Sequence, residues 1–120
     1  MKIQTTAQIE ALSLDGEPQQ LTDPEVISLE FSAIDTGGRF RDPMLAFTFT
    51  LPTEDRENLG AIRDHSLDLS LGDPNKEDNQ VTFSCNCEVA ETNNAFEING
   101  RLSEDEISED LVGFVMKRFQ

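Results

Sequence analysis

"VTFSCNCEVAETNNAFEINGRL", residues 81–102, decides the fold. Val81, Phe83, Cys85, Cys87 and Val89 alternate with Thr82, Ser84, Asn86 and Glu88. After the polar triplet Thr92-Asn93-Asn94, Phe96, Ile98, Gly100 and Leu102 alternate with Ala95, Glu97, Asn99 and Arg101. Successive side chains of a strand point to opposite faces, so a period of two separates an apolar face from a wet one. Two such runs joined by turn-forming residues predict an antiparallel hairpin.

The same grammar extends outward in both directions. Runs at 2–14, 25–35, 44–51 and 66–71 join those at 80–91 and 95–102. Ile3, Thr5, Ala7 and Ile9 share one face of the first run, and the apolar parity then switches at Leu12 and Leu14, which a β-bulge or a crossing between sheets would produce. Ile27, Leu29, Phe31 and Ala33 form the next stripe, followed by Leu45, Phe47, Phe49 and Leu51, then by Leu67, Leu69 and Leu71. Every proline falls between runs or at their ends, where a missing N–H costs no ladder bond. Asp15-Gly16, Gly37-Gly38 and Gly72-Asp73-Pro74 carry turn chemistry. The connection 52–65 has acids suited to a helical turn after Thr53. The expected architecture is one mainly β domain over 1–120, an antiparallel β-sandwich or small barrel of six to seven strands with a C-terminal helix.

That helix is read from "RLSEDEISEDLVGF", residues 101–114. Ser103 and Glu106 form a capping-box pair, Leu102 and Ile107 hold the staple positions, and Ile107, Leu111, Phe114 and Val115 follow helical spacing. Lys117 and Arg118 complement the far end of the dipole. Against this stand Gly113 and the β-prone character of the segment, so the alternative is a seventh strand at 111–119.

The 120 residues suffice for one core without metal or disulfide. A formal charge of −15 repels phosphate backbones and anionic lipid surfaces, so direct nucleic-acid or membrane binding is not expected. The first residues lack an apolar signal region, and no run reaches membrane-spanning length. A soluble chain in the cytoplasm or on a virion is therefore expected. Cys85 and Cys87 lie two apart on a strand, a spacing that disfavours a bridge, and are expected to be reduced and buried.

The acids are not spread evenly. Of the 24 Asp and Glu residues, eight fall in the strand runs and sixteen in connections and the 103–110 segment. A nucleic-acid mimic built on a sheet would carry carboxylates at alternate wet positions, about 6.6 Å apart. No run has that stripe, so any imitation works through loops and through Glu104, Asp105, Glu106, Glu109 and Asp110.

Several residue groups invite chemistry. His65 follows Asp64 and precedes Ser66, but neighbours on a strand face opposite ways and cannot form a triad among themselves. One histidine and two thiols fall short of a closed zinc site. The stretch 72–80, "GDPNKEDNQ", offers Asp73, Asn75, Glu77 and Asp78 as calcium ligands, although it lacks the glycine and closing glutamate of an EF-hand. No activated nucleophile or cofactor motif appears, and an enzyme is not expected.

Two functions compete on these grounds. The first is a non-catalytic acidic interaction domain, an inhibitor of a basic nucleic-acid-handling partner, of the toxin-immunity or phage anti-defence type. Opposite charge steers such partners together. The second is a structural or decoration component of a larger assembly such as a virion, its acidity an adaptation to high salt.

Overall fold

The computed structural model describes residues 1–19, 25–37, 40–52, 63–92 and 95–119. Seven strands follow in order: β1 (Lys2–Leu14), β2 (Glu17–Pro18), β3 (Glu25–Asp35), β4 (Phe40–Pro52), β5 (Arg63–Asp73), β6 (Lys76–Thr92) and β7 (Ala95–Leu102). A 3-10 turn, Glu104–Glu106, leads to helix α1, Glu109–Phe119. The expected helical turn after Thr53 and the Asn93-Asn94 turn lie outside the described residues.

All pairings are antiparallel, and the order is β2-β1-β3-β4-β7-β6-β5. One further pairing changes the architecture, because β1 uses both of its edges. Residues Lys2 to Ile9 pair with β3, while Gln8 to Leu14 pair with β5. Six strands thus close into a ring, the barrel form of the two expected architectures, with short β2 hung on the end of β1.

The parity switch in β1 has its predicted cause. Register slips between Ile9 and Ala11 in the β1–β5 ladder, so Glu10 is the extra residue of a bulge. It stays exposed, and Leu12 and Leu14 return to the interior. The bulge lets one strand pass from the β3 ladder to the β5 ladder without turning its apolar side chains outward.

The interior is a continuous cluster of the stripes named above, with Phe31, Ile27, Leu45, Leu67 and Ile98 almost fully enclosed. Gly100 has a specific place in it. A Cβ there would overlap the Phe47 ring, which occupies the space and reaches across β7 to meet Phe83 edge-on, centroids 6.0 Å apart. A strand glycine at such an approach lets the sheet bend sharply.

The seam between β1 and β5 does not run the full length of β1. Their ladder begins at Gln8 and Gly72, leaving the earlier part of that β1 edge without a strand partner among the described residues. Helix α1 packs against β1 and β6 here, burying Leu111, Phe114 and Val115. Residues 111–119 are therefore helical, and the alternative of a seventh strand there is corrected: Leu111, Phe114 and Val115 sit on one face only at helical spacing. The capping-box pair exists, with Ser103 N–H and Oγ both donating to Glu106 Oε1, but it closes the 3-10 turn. The α-helix starts later, where Ser108 Oγ accepts from the Leu111 N–H at 3.2 Å.

Candidate functional site

The β5–β6 turn, which offered calcium ligands in the sequence, clasps the last turns of α1. Asp73 is buried, and its side chain is 1% exposed. Its Oδ1 accepts from the Asn75 N–H at 2.9 Å and from Arg118 Nη1 at 3.2 Å, and its Oδ2 accepts from Asn79 Nδ2 at 3.2 Å. Burial pushes the Asp73 carboxyl up, but the hydrogen bonds from Asn75 and Asn79 and the Arg118 and Lys76 charges outweigh it and hold it below its usual value.

The clasp also bonds to helix carbonyls, among them that of Lys117, which the helix end leaves open. Buried Asn79 donates to the Phe114 carbonyl at 3.2 Å, and Lys76 Nζ to the Lys117 carbonyl at 2.7 Å. Arg118 Nε reaches the Thr6 carbonyl at 2.6 Å, on the part of β1 that β5 does not reach. Of the four residues named as calcium ligands, Asp73 is engaged in this network and Asn75 lends it a backbone donor. Glu77 and Asp78 are exposed on the start of β6. Among the described residues no group of three or more His, Cys, Asp or Glu side chains is placed to hold a metal ion.

The same packing brings two distant acidic segments together. A groove of about 480 Å³ runs between the start of β6 and the first turns of α1. Asp78, Gln80 and Thr82 line it from β6, and Ser108, Glu109, Asp110 and Lys117 from α1 and its cap. Glu104, Asp105 and Glu106 continue the acidic surface along the preceding turn, all exposed. Sequence spacing singled out the five acids of 104–110 but not Asp78 as their neighbour, since the two segments lie far apart in the chain.

On the outer side of β1, β3, β4, β7 and β6 the ring forms a broad concavity of about 930 Å³. Its floor is the backbone row Thr5, Leu29, Phe47, Gly100 and Cys87, which the strand register aligns. The side chains of the flanking rows rise around it. Thr6, Ser28, Thr48, Asn99 and Glu88 make one row, and Gln4, Glu30, Ala46 and Arg101 the other, with Asn86 beyond Arg101. Lys2 Nζ pairs with Glu30 Oε1 at 3.0 Å. The Lys2 hydrogen bond and charge, aided by Gln4 and Arg101, hold the Glu30 carboxyl below its usual value.

His65 finds a carboxylate, though not its neighbour in sequence. Asp15 holds a left-handed φ of 52° in the turn with Gly16 at 83°, the turn chemistry expected there. One carboxylate oxygen meets His65 Nδ1 at 2.6 Å and the other accepts from the Ser66 N–H at 2.9 Å. The His65 hydrogen bond, then that of Ser66, lowers the Asp15 carboxyl. The pair ties the end of β1 to the start of β5, at the opposite end of the seam from the helix clasp. His65 Nε2 is buried without a hydrogen-bond partner.

Both cysteines are buried and not joined in a disulfide, as expected. Burial, then the nearby Cys87, Glu106 and Asp68, pushes the Cys85 thiol up to about 12, the reverse of an activated nucleophile. Comparison of the chain with family models, with curated proteins and with solved structures finds no match.

Proposed function

We propose that this protein is a non-catalytic interaction domain whose acidic groove receives a basic segment of a protein partner, and that it inhibits a partner that handles nucleic acid. The observation that carries this reading is the convergence of Asp78 with Glu109 and Asp110 on one groove, where Lys117 is the one cation among the lining residues. A chain of net charge −15 is attracted over a Debye length to a basic surface, and a groove fixes where the contact is made. A protein that handles nucleic acid offers such a surface, because its own site must be basic to hold phosphates. Occupying that surface would exclude the nucleic acid. The acids 104–106 extend the contact beyond the groove and supply steering.

The test separates groove from bulk charge. A short arginine-rich peptide is the probe, and two variants of equal net charge are compared: D78N/E109Q/D110N in the groove, and E25Q/D35N/E91Q on the strands. The expected result is an association rate about tenfold lower for the groove variant, with a smaller change for the other. Equal losses would mean that the peptide senses net charge alone, which defeats the assignment to the groove. For a captured protein partner, duplex DNA should compete with this domain; simultaneous binding of both would defeat the inhibitory part.

A further inference from the structure

We propose that the concave face of β1, β3, β4, β7 and β6 is a second binding site, for a neutral polyhydroxylated ligand, an oligosaccharide chain, which it binds without cleaving. The inference is independent of the acidic groove and rests on different residues.

Charge is the first argument. In a chain of net charge −15, this face and its rim carry Glu30, Glu88 and Glu97 against Arg101 and Lys2, a single excess negative charge. Most of the acids that make the protein acidic lie elsewhere, in connections and at the helix start. A phosphate-bearing ligand finds no net positive field here, and a basic protein finds little excess of acid. A neutral ligand crosses neither barrier.

Hydrogen-bonding chemistry is the second. The side-chain amides of Gln4, Asn86 and Asn99 each carry donors and an acceptor, with one N–H of Gln4 already given to Glu30 and one of Asn99 to Glu97; the hydroxyls of Thr6, Ser28 and Thr48 both donate and accept, and Arg101 is a planar fork of donors. Sugar hydroxyls need such mixed partners, each donating one bond and accepting others. Neighbouring strands are about 4.8 Å apart, so each row repeats its polar groups at close to the length of one sugar ring and spans about 19 Å over five strands. No aromatic ring stands in the two side-chain rows, so affinity must come from hydrogen bonds and shape, and millimolar dissociation constants are expected.

Geometry argues against hydrolysis by the two lining acids. Glu30 on β3 and Glu88 on β6 are three strands apart, about 14 Å at the usual spacing. Glycosidase carboxylates lie about 5–9.5 Å apart. These two acids are therefore too far apart to act as an acid and base pair, and Glu97, diagonal to Glu88 across β6 and β7, already accepts a hydrogen bond from Asn99.

The experiment is a nitrogen-15 NMR titration of the whole chain with cellohexaose, xylohexaose, mannohexaose and chitohexaose at millimolar concentrations. At least one should shift the side-chain amide signals of Gln4, Asn86 and Asn99, leaving those of the α1 groove in place. Arg101→Ala and Asn99→Ala should each weaken that binding by about tenfold, consistent with the loss of hydrogen bonds to ligand. Both sites are at least partly exposed, and the fold of each variant is checked by its amide spectrum. Absence of shifts with all four sugars, shifts centred on the α1 groove, or affinities unchanged in both variants would overturn the proposal. A response only to a sulfated oligosaccharide would overturn the neutral class of ligand.

Discussion

Replacing Asp73 by alanine should unfasten the helix from the ring. The carboxylate accepts hydrogen bonds from Asn75 N–H, Asn79 and Arg118, and the last two also hold the Phe114 and Thr6 carbonyls. Hydrogen bonds to a charged group contribute about 1.5–3 kcal/mol each and do not add fully. Removing one member of a buried ion pair costs about 3–5 kcal/mol, because the partner is left desolvated. Arg118 is only 16% exposed, so it can recover part of its hydration by turning outward. A loss of about 3–4 kcal/mol results. For a chain between the small and mid-sized classes this lowers the melting temperature by roughly 10–15 °C. Thermal unfolding followed by circular dichroism measures the total, and amide hydrogen exchange locates it in 109–119. A fall under about 3 °C, less than 1 kcal/mol for a domain of this size, would refute the clasp as an anchor of the helix.

The same residue sets a pH dependence. Its carboxyl is held below the usual range in the folded state, so its contribution is complete above the unfolded value near 3.9 and is lost as pH falls through the lower folded value. The stability difference between the wild type and D73N should therefore be constant near neutrality and shrink only in acid. A difference that grows on acidification would reverse the sign and reject the account.

Gly100→Ala forces the Phe47 ring aside and should cost about 1–3 kcal/mol, with Phe47→Leu restoring part of the loss in the double variant; additive costs would disprove the overlap. Cys85, its thiol raised to about 12 by burial, should resist alkylation at pH 8 until the domain unfolds, and rapid labelling of the native protein would contradict its placement. Calcium at millimolar concentration should leave the melting temperature unchanged, since Asp73 is already engaged by Arg118; a clear rise would restore the turn 73–78 as a calcium site. Raising salt should increase the melting temperature only up to about 1 M, where the Debye length is about 3 Å. A continued climb would assign the acidity to a salty solvent instead of to a partner.

Alternation alone made the strands legible. Every apolar stripe from Ile3 to Leu102 faces the interior, and the parity switch at Leu12 and Leu14 announces a bulge or a crossing between sheets, which the pairing places as a bulge at Glu10. Strand limits were less visible: β4 begins at Phe40 and β6 at Lys76, where polar residues continue a ladder without an apolar stripe. Ser103 announced a helix earlier than the one that forms, because a capping box closes a 3-10 turn equally well. Ring closure left no local signal, since Gln8 and Gly72 meet only in three dimensions. For the same reason the partnership of Asp78 with Glu109 and Asp110, and of Asp73 with Arg118, was hidden. The oxygen-rich turn 73–79 read as a cation loop because helix clasps and cation loops draw on the same side chains. The concave face was written in the sequence as ordinary wet positions; curvature, which has no periodicity, gathered them.

The two-edged use of β1 also sets an order of assembly. Hairpins β3–β4, β5–β6 and β6–β7 close across a few residues, whereas the seam joins Gln8 to Gly72, a separation of 72 − 8 = 64 positions. Closing that loop costs about 3 kcal/mol more chain entropy than closing a three-residue turn. The seam, like the long-range pairing of β4 with β7, should therefore form after the hairpins. While it is open, β1 and β5 each present a bare backbone edge that a second chain can pair with. In the mature ring these two edges are paired with each other from Gln8 to Leu14, so that route to mispairing belongs to the interval before closure. Rapid sealing of the seam, more than the equilibrium stability of the sealed ring, then governs how much of the chain escapes aggregation.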